Sequence, residues 1–472
     1  MKIALVCMGT ENLGVEYLSA VLEKEGHKIE LFFDPSLFDD KYWLYIPFLN
    51  KVFNKKIKIF KNIIDSKPDF IAFSVMTDTY QWACSLAREL KNLIDTKIIF
   101  GGIHPTSIPE EVIKNDFVDY VVVGEGEYAL LDIVDGKPNR PNIWFKENGK
   151  IIKNNVRPLI KDLDSLPFPN KRIFEKYISM ASYMIMTSRD CPFNCTFCCN
   201  SILHKLYGMA NRKRSITNVI EELILAKAKY KFKNVDFVDD VFTANKKWLR
   251  EFLGIYKREI NVPFRCLTHP FFMSDEVAKL LKESGCEAID IGIQTLNETI
   301  RRNMLNRHET NSDVEKALNS CKKYGLKTHI DHIVGLPGET EQDLIDACKF
   351  YIKHKPDRFT YYYLSYFPKT EIIKIANLTK EKISMIEKGV EPMYLVGGAA
   401  KNSTTRNFEI MFKLIPITPE SITRFILEKK IYKLFRFLPV SLLLDILTLL
   451  KTKEYRGLDY IRYYLRNIFN SY

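Results

Sequence analysis

Short apolar segments that alternate with amphipathic helical stretches run through most of this 472-residue chain. The first five are rich in β-branched and aromatic residues and end beside turn-forming residues: KIALVCM, KIELFFD, DFIAFSVM, KIIFGG and DYVVVG. Strands that are apolar on both sides belong to parallel sheets with helices on both faces. Residues 1–140 are therefore predicted to form a doubly wound, Rossmann-like α/β domain, with ligands beyond the carboxyl ends of its strands.

A second alternation follows a short connection. Residues 141–178 contain two β-rich stretches around Asn148-Gly149, a hairpin signal, and then a proline-rich linker. Six strand–helix units come next, which predicts an open, partial (β/α)6 barrel over residues 179–385. Residues 386–472 are predicted to form a helical region, broken at Pro439, that either caps the barrel or lies on a membrane surface.

Composition narrows the setting. Ten cysteines are too few for a disulfide scaffold, and no signal sequence precedes MKIALVCMGT, so we expect a cytoplasmic protein. The net charge is +12, but the basic residues are dispersed as on a solvated surface, and we expect no nucleic-acid partner. No apolar run reaches the ~18 residues of a membrane span. The longest candidate, Leu438–Leu450, contains Asp445.

Four cysteines lie together in the stretch SRDCPFNCTFCCNS, three of them in the spacing Cys191-x-x-x-Cys195-x-x-Cys198. Three thiols this close on one loop cannot form disulfides with each other without severe strain. A zinc site needs a fourth ligand, which His204 or Cys199 could supply. Three cysteines also suit a [4Fe–4S] cluster with one iron open to a small chelating molecule, and the sequence favours this reading.

The cysteine spacing after a barrel strand resembles the signature of the radical S-adenosylmethionine (SAM) superfamily. Later segments follow in that family's order: FVDDVFT, IGIQTLNETIRRNMLNR, HIVGLPGET and YLSYFPKTEI. The amino-terminal segments resemble the cobalamin-binding domain of its cobalamin-dependent branch: MGTENLGVEYLSAVLEKEGH, GGIHPT and VVVGEGE. The resemblance covers Lys2 to about residue 385. It implies three cofactors, namely a [4Fe–4S] cluster, SAM and cobalamin.

The resemblance also implies residue roles. Cys191, Cys195 and Cys198 would hold the cluster, whose open iron would chelate SAM. Contacts to SAM would come from Phe197, Asp240, Gln294, Gly335, Pro337, Gly338 and Glu339. Packing, helix capping and a plain turn are the structural alternatives at these positions. Lys369 departs from the pattern, because relatives commonly have glycine there.

Contacts to cobalamin would come from the loops that follow the first-domain strands. These residues are Thr10, Asn12, Gly14, Ser74, Thr77, Gly101, Gly102, His104, Gly124, Glu125 and Gly126. Tight strand-to-helix turns also need glycine whether or not a ligand binds. The string Asp-x-His-x-x-Gly, which supplies an axial histidine in many cobalamin proteins, does not occur in the sequence. The cobalamin-dependent radical SAM branch often lacks it too.

The resemblance implies a methyltransferase that acts on an unactivated carbon through a 5′-deoxyadenosyl radical and methylcobalamin. A cyclase or rearrangement enzyme with the same cofactors is the alternative. A methylthiotransferase needs three more cysteines upstream, where only Cys7 and Cys84 occur. A non-catalytic cobalamin or metal sensor would not cleave SAM. The expected partners are a small-molecule or lipid-like substrate and an electron donor such as flavodoxin or ferredoxin.

Overall fold

A computed structural model describes residues 1–39, 46–390, 403–438, 440–452 and 455–469. Two parallel sheets follow each other along the chain, and helices complete the C-terminal part. None of the helices in these ranges is long and apolar enough to cross a membrane. The predicted break at Pro439 lies outside the described residues.

The first sheet contains seven strands. They are β1 (Lys2–Met8), β2 (Lys28–Asp34), β3 (Phe70–Ser74), β4 (Lys97–Gly101), β5 (Tyr120–Val122), β6 (Ile143–Glu147) and β7 (Lys150–Lys153). Their order is β2-β1-β3-β4-β5-β6-β7, and the first five pair in parallel, which confirms the predicted fold class. β6 pairs antiparallel with β5, so the predicted hairpin extends this sheet beyond residue 140.

Helices cover both faces of the first sheet. They are α1 (Leu13–Lys24), α2 (Pro47–Phe53), α3 (Lys56–Ser66), α4 (Tyr80–Lys91), α5 (Ile103–Ser107), α6 (Pro109–Ile113) and α7 (Glu127–Val134). One core packs α3, α4 and α6 on one face, and a second core packs α1 and α7 on the other. The strand order reverses between β1 and β3, and the crevice at such a switch point is where doubly wound sheets bind ligands.

The second sheet has six parallel strands in an order that follows the sequence. The strands of this part are β8 (Ser182–Ile185), β9 (Ser188–Arg189), β10 (Arg212–Lys213), β11 (Asn234–Phe237), β12 (Phe264–Thr268), β13 (Cys286–Gln294), β14 (Lys327–Val334) and β15 (Arg358–Tyr363). The sheet runs β15-β14-β13-β12-β11-β8, and β9 and β10 form a separate antiparallel ribbon. The predicted six-strand, open barrel is therefore confirmed.

Helices alternate with these strands. They are α8 (Asn200–Tyr207), α9 (Ile216–Tyr230), α10 (Lys246–Glu259), α11 (Asp275–Glu283), α12 (Glu298–Asn303), α13 (Asn311–Lys323), α14 (Glu341–His354), α15 (Ile372–Ile375) and α16 (Lys380–Glu387). The buried faces of α9, α10, α11, α13 and α14 form the largest core cluster with the outer side of the sheet. The barrel is thus rigid behind the strands, and its loops at the carboxyl ends are free to carry function.

The tail is helical, as predicted, with α17 (Ser403–Leu414), α18 (Glu420–Glu428), a 3-10 turn (Ile431–Phe437), α19 (Ser441–Thr452) and α20 (Tyr455–Phe469). α17 packs on β15, where the Tyr361 hydroxyl donates to the Thr405 carbonyl at 2.6 Å. α20 returns to the first domain. The Tyr463 hydroxyl donates to the carbonyls of Gly9 and Pro35, at 2.6 and 2.8 Å.

The orientation of α19 can be tested with two adjacent leucines. Leu444 is 6% exposed and belongs to the barrel core, whereas Leu443 is 54% exposed. We expect Leu444→Ala to lower the free energy of unfolding by about 2–4 kcal/mol, since it leaves a cavity. Leu443→Ala should change it by less than about 0.5 kcal/mol. Urea unfolding followed by circular dichroism measures both; equal effects would contradict the orientation.

Candidate functional site

The cysteine loop follows β9 at the carboxyl end of the barrel. Cys195 is buried, and Cys191 and Cys198 are partly buried. Burial raises the pKa of the Cys191 thiol to about 12, and nearby Asp240, Cys195 and Cys198 add to the rise. Burial and these neighbouring groups all disfavour the thiolate form of Cys191. A bound cationic cluster would reverse this effect, because a coordinating metal stabilises the thiolate form.

A single zinc ion needs four ligands that converge on one point. Among the described residues, no three His, Cys, Asp or Glu side chains converge on one point that could hold a metal ion. His204, the candidate fourth ligand, has its Nδ1 3.4 Å from the side-chain oxygen of Asn194. An iron–sulfur cluster does not need such convergence, because separate irons take the separate cysteines. Cys191, Cys195 and Cys198 therefore remain the predicted cluster ligands.

The segment after α12 holds the cysteine loop in place. The Thr196 amide donates to the Leu305 carbonyl at 3.2 Å, and the Asn306 side chain donates to the Asn194 carbonyl at 2.9 Å. From the other side, the Ile372 amide donates to the Thr196 carbonyl at 3.1 Å. Hydrogen bonds from both sides of the loop therefore fix its path on either side of Cys195.

Arg307 lies directly beneath the loop, and we did not identify it from the sequence. Its guanidinium approaches Cys195 Sγ at 3.9 Å and donates to the Gly292 carbonyl at 2.6 Å. Glu309 accepts a further bond from it at 2.7 Å. The residue is only 6% exposed. A buried cation beside a ligand sulfur stabilises negative charge there, which is one way proteins set cluster potentials.

A stacked histidine extends this network to the first part of the loop. His269 Nε2 lies 3.3 Å from Glu309, and its ring stacks on Phe193 with centroids 4.0 Å apart. Burial lowers the pKa of His269 to about 4, so the ring is neutral at neutral pH. Phe193 lies between Cys191 and Cys195. The contacts that link Arg307, Glu309, His269 and Phe193 therefore reach the part of the loop between Cys191 and Cys195.

The two carboxylates at the end of β11 have different environments. Asp239 is fully buried and accepts bonds from the Thr187 amide at 3.0 Å, the Thr187 hydroxyl at 2.7 Å and the Ser188 hydroxyl. Asp240 is exposed and accepts from Asn200 at 2.9 Å. Asp239 thus fixes the strand that leads into the cysteines, and Asp240 is the one available to a ligand.

Two further candidate SAM contacts lie at strand ends. Gln294, at the end of β13, has a φ of +68°, a left-handed conformation that is uncommon for a non-glycine residue. The Gln294 side chain folds back over Gly292, where an added Cβ would lie 2.7 Å from its Nε2. Phe197 packs in a small apolar cluster that includes Leu336, in the turn after β14.

The turn after β14 is fixed by one carboxylate. Glu339 accepts from the Gly335 amide at 2.8 Å, and Gly335 and Gly338 have φ of +73° and +79°. Burial raises the pKa of Glu339 to about 7. Pro337 stiffens the turn between the glycines. The backbone can therefore approach a flat ligand closely, and Glu339 maintains the turn.

Lys369 adopts a φ of +63°. This left-handed conformation is the one that glycine enters most readily, which explains the glycine expected there. Two contacts hold the lysine in it. Its Nζ lies 2.9 Å from Glu387, and its carbonyl accepts from Lys205 at 3.0 Å.

An apolar cavity of about 250 Å³ lies between the first sheet and helices α1 and α7. Seven predicted cobalamin contacts line it, namely Gly14, Ser74, Gly101, Gly102, Gly124, Glu125 and Gly126. The volume is below that of sites for whole drug-sized ligands. The cavity therefore fits the flat aromatic base of a nucleotide tail rather than a complete corrinoid. Gly102 has a φ of +108°, and a Cβ there would meet the Val75 carbonyl oxygen at 2.6 Å.

The other predicted cobalamin contacts lie elsewhere. Thr10 and Asn12 line a second cavity of about 610 Å³, whose wall includes Tyr460 and Tyr463 of α20. Thr77 and His104 line neither cavity. His104 Nδ1 lies 3.2 Å from the Thr77 hydroxyl. Burial lowers the pKa of the His104 imidazole to about 4.

Glu125 joins the first domain to the strand before the cysteines. Its carboxylate accepts from Arg189 at 3.0 Å and Arg212 at 2.8 Å, and from the Ile160 amide at 2.8 Å. Arg189 also pairs with Glu127 at 2.6 Å. Glu125 lines the apolar cavity, but its carboxylate forms the ion pairs that join the first domain to the start of the barrel. Burial raises its pKa, and the arginines and the Ile160 amide more than offset this, so the pKa falls below its usual value.

The loop after β1 contains no histidine. Its Glu11 pairs with Lys171 at 2.8 Å, and Lys171 also pairs with Glu16 at 2.8 Å. His27 lies 3.4 Å from Asp135, beyond the end of α1, and lines neither cavity. Neither His27 nor His104 therefore lines either of these two cavities.

Two known protein families match this chain, one over each of its two sheet-containing parts. The Radical SAM superfamily matches residues 185–351, and the B12 binding domain family matches residues 8–134. The chain belongs to the cobalamin-dependent radical SAM superfamily. Membership of the two families implies a [4Fe–4S] cluster, SAM and cobalamin as cofactors.

This radical SAM protein has distant curated relatives. An uncharacterized methyltransferase of Pyrococcus horikoshii is 29% identical over 80% of this chain and 83% of its own length. The anaerobic magnesium-protoporphyrin IX monomethyl ester cyclase of Rubrivivax gelatinosus is 23% identical over 75% of this chain and 67% of its own. Three further relatives carry the name methyltransferase.

The radical SAM protein also shares its fold with a solved structure. OxsB, described as a cobalamin-dependent S-adenosylmethionine radical enzyme with aqua-cobalamin bound, superposes with a TM-score of 0.68. The sequences are 16% identical, and the match covers 98% of this chain and 75% of OxsB. The likeness extends through the C-terminal helices, which the two family matches do not reach.

The contact of Arg307 with Cys195 predicts an effect on the cluster. Arg307→Gln removes a positive charge beside the sulfur of Cys195, a predicted cluster ligand, so we expect the cluster's reduction potential to fall by tens of millivolts. Arg307→Lys keeps the charge and should retain most of the potential. Redox titration followed by electron paramagnetic resonance measures it, on protein whose iron content matches the unchanged chain. An unchanged potential in Arg307→Gln would show that the contact is structural only.

Proposed function

We propose that this radical SAM protein is a cobalamin-dependent methyltransferase that acts on an unactivated carbon. One observation supports this above the others. Arg189, two residues before the first cluster cysteine, lines the apolar cavity of the first domain together with Gly101 and Gly124. The two predicted cofactor regions are therefore adjacent, as transfer between them requires.

The proposed roles follow the geometry. When bound, the cluster with SAM supplies a radical that abstracts hydrogen, and cobalamin supplies the methyl group. Cys191, Cys195 and Cys198 would hold the cluster. Gly335 and Gly338 would let the backbone approach SAM, while Glu339 keeps their turn in shape. The apolar lining of the first-domain cavity would exclude water.

The proposed roles of the domains follow the predicted domain boundaries. Residues 1–140 would bind cobalamin, residues 141–178 form the hairpin and linker, residues 179–385 would carry the cluster and SAM, and residues 386–472 form the helical region. The hairpin belongs structurally to the first sheet, because β6 pairs with β5.

Radical SAM enzymes need an electron donor. We propose a flavodoxin or ferredoxin in this role, since a net charge of +12 favours encounter with an acidic carrier protein.

A cyclase or rearrangement enzyme is the second candidate. It is supported by cyclase relatives that match over much of this chain. Both candidates would cleave SAM to 5′-deoxyadenosine, but only the methyltransferase also consumes SAM as a methyl donor and releases S-adenosylhomocysteine. The two products therefore separate the candidates.

Ala72 offers a test of the cobalamin cavity. It lies on β3 and lines the cavity, so Ala72→Phe would fill the space that the cofactor tail needs. After anaerobic reconstitution with iron, sulfide and hydroxocobalamin, we expect the unchanged chain to retain stoichiometric cobalamin. Ala72→Phe should lose cobalamin and keep its iron, whereas Cys198→Ala should lose iron and keep cobalamin.

Cys199→Ala is the matched control, since this neighbouring thiol is outside the predicted ligand set, and it should keep both cofactors. With dithionite as reductant and no substrate, the unchanged chain should form S-adenosylhomocysteine from SAM, and Ala72→Phe should not. Bound cobalamin without S-adenosylhomocysteine would argue against the methyltransferase and favour the cyclase. No retained cobalamin in the unchanged chain would rule out both candidates.

A further inference from the structure

The C-terminal helices present large apolar side chains to solvent on more than one helix. On α19, Leu442, Leu443, Ile446, Leu447 and Leu450 are between 42% and 68% exposed. Their spacing places them on one face of the helix, since residues three and four apart lie above one another. The opposite face of α19 is also apolar in part and packs on the barrel core through Leu444. The outer stripe is therefore not needed for folding.

α20 repeats this pattern. Leu458, Ile461, Leu465 and Phe469 are between 50% and 76% exposed and recur at three- and four-residue spacing. The inner face of α20 is the one that binds the first domain, through Tyr463 and other residues. The two stripes lie on neighbouring helices. A Cβ at Gly457 would lie 2.7 Å from the side chain of Leu449, so α20 starts in direct contact with α19.

The same region is basic. Residues 420–469 contain ten Lys or Arg and five Asp or Glu, a difference of +5 within the chain's total of +12. Lys429, Lys430 and Arg436 are exposed beside the exposed Leu434 and Phe437 of the 3-10 turn. Each basic residue near an anionic lipid surface contributes about 1 kcal/mol of attraction. Two copies of this face would instead repel each other.

We propose that the outer surface of residues 420–438, 440–452 and 455–469 docks on an anionic phospholipid bilayer. The helices lie in the plane of the interface, with their apolar stripes among the upper acyl chains and their basic residues at the headgroups. No helix in the described part of the chain can span the bilayer, which is consistent with docking on one face.

Docking would also position the second cavity. Tyr460 and Tyr463 of α20 line the cavity of about 610 Å³ beside the loops after β1 and β3. The inner face of a membrane-docked helix therefore forms one wall of this cavity, which suits an amphiphilic substrate that resides in the bilayer. This last step rests on the proposed function, whereas the docking itself does not.

The test is co-sedimentation of the full chain, reconstituted with its cofactors, with lipid vesicles. We expect binding to vesicles of equal parts phosphatidylcholine and phosphatidylglycerol, little binding to phosphatidylcholine alone, and weaker binding at high salt. The variant L447E/I461E/L465E should bind the anionic vesicles about tenfold or more weakly, since it places charge on the apolar stripes. These side chains are exposed, so retained cofactor content and circular dichroism confirm its fold.

Leu93→Glu is the matched control, because Leu93 is 64% exposed on the first domain, and it should bind like the unchanged chain. Equal binding of the triple variant and the unchanged chain would overturn the proposal. So would a dimer in gel filtration that the triple variant converts to a monomer, because the face would then join two copies. Since vesicle binding needs no turnover, its failure is distinguishable from failure of the methyltransferase assay.

Discussion

The alignment of the two halves depends on the buried ion pairs around Glu125. Its carboxylate lies in the loop after β5 and accepts from Arg189, which leads into the cysteines, and from Arg212 of the neighbouring ribbon. All three side chains are 15% exposed or less. Removing one partner from such a network typically costs about 3–5 kcal/mol, because the remaining charge stays buried.

Because the pKa of Glu125 is lowered on folding, this stabilisation is present above the carboxyl's ordinary pKa and is lost as pH falls through the lowered value. The position of the cysteine loop relative to the first domain is therefore set by electrostatic attraction as well as by chain connectivity.

Much of the fold could be predicted from the sequence, because strands buried on both faces must be continuously apolar. The same logic gave the six barrel strands and placed the cysteines at a strand's carboxyl end. The return of α20 to the first domain could not be predicted, because Tyr463 binds backbone carbonyls, which leave no pattern in the sequence. Arg307 stands in a segment that carried the family resemblance, but its contact with Cys195 depends on the path of the chain after α12. Asp239 and Asp240 are adjacent in sequence, and only their burial separates the structural carboxylate from the available one.

Several of the non-glycine residues with a left-handed backbone lie around the predicted cluster site. Asp190 directly precedes Cys191 and has a φ of +81°, and Gln294 and Lys369 have φ of +68° and +63°. Left-handed conformations cost non-glycine residues about 1–3 kcal/mol and persist only where the surroundings over-determine them. Here the bonds are visible, since Arg212 holds Asp190 at 3.0 Å and Glu387 holds Lys369 at 2.9 Å. Because Asp190 directly precedes Cys191, its ion pair with Arg212 holds the backbone that leads into the cysteines.

The two faces of α20 answer different physical requirements. A helix that only fastens the tail to the first domain needs one face of contacts, and Tyr463, Tyr464 and Asn467 supply them with hydroxyl, ring and amide groups. Exposed leucines and a phenylalanine on the outer face add nothing to that attachment and raise the cost of hydration. Their presence beside basic residues is explained if the acyl chains of a lipid bilayer cover them. The same helix would then bind the first domain, line a cavity beside the predicted cobalamin loops and rest on lipid. The attachment of the tail and the choice of substrate would thus depend on one element, because the wall that lines the cavity is also the surface that meets the membrane.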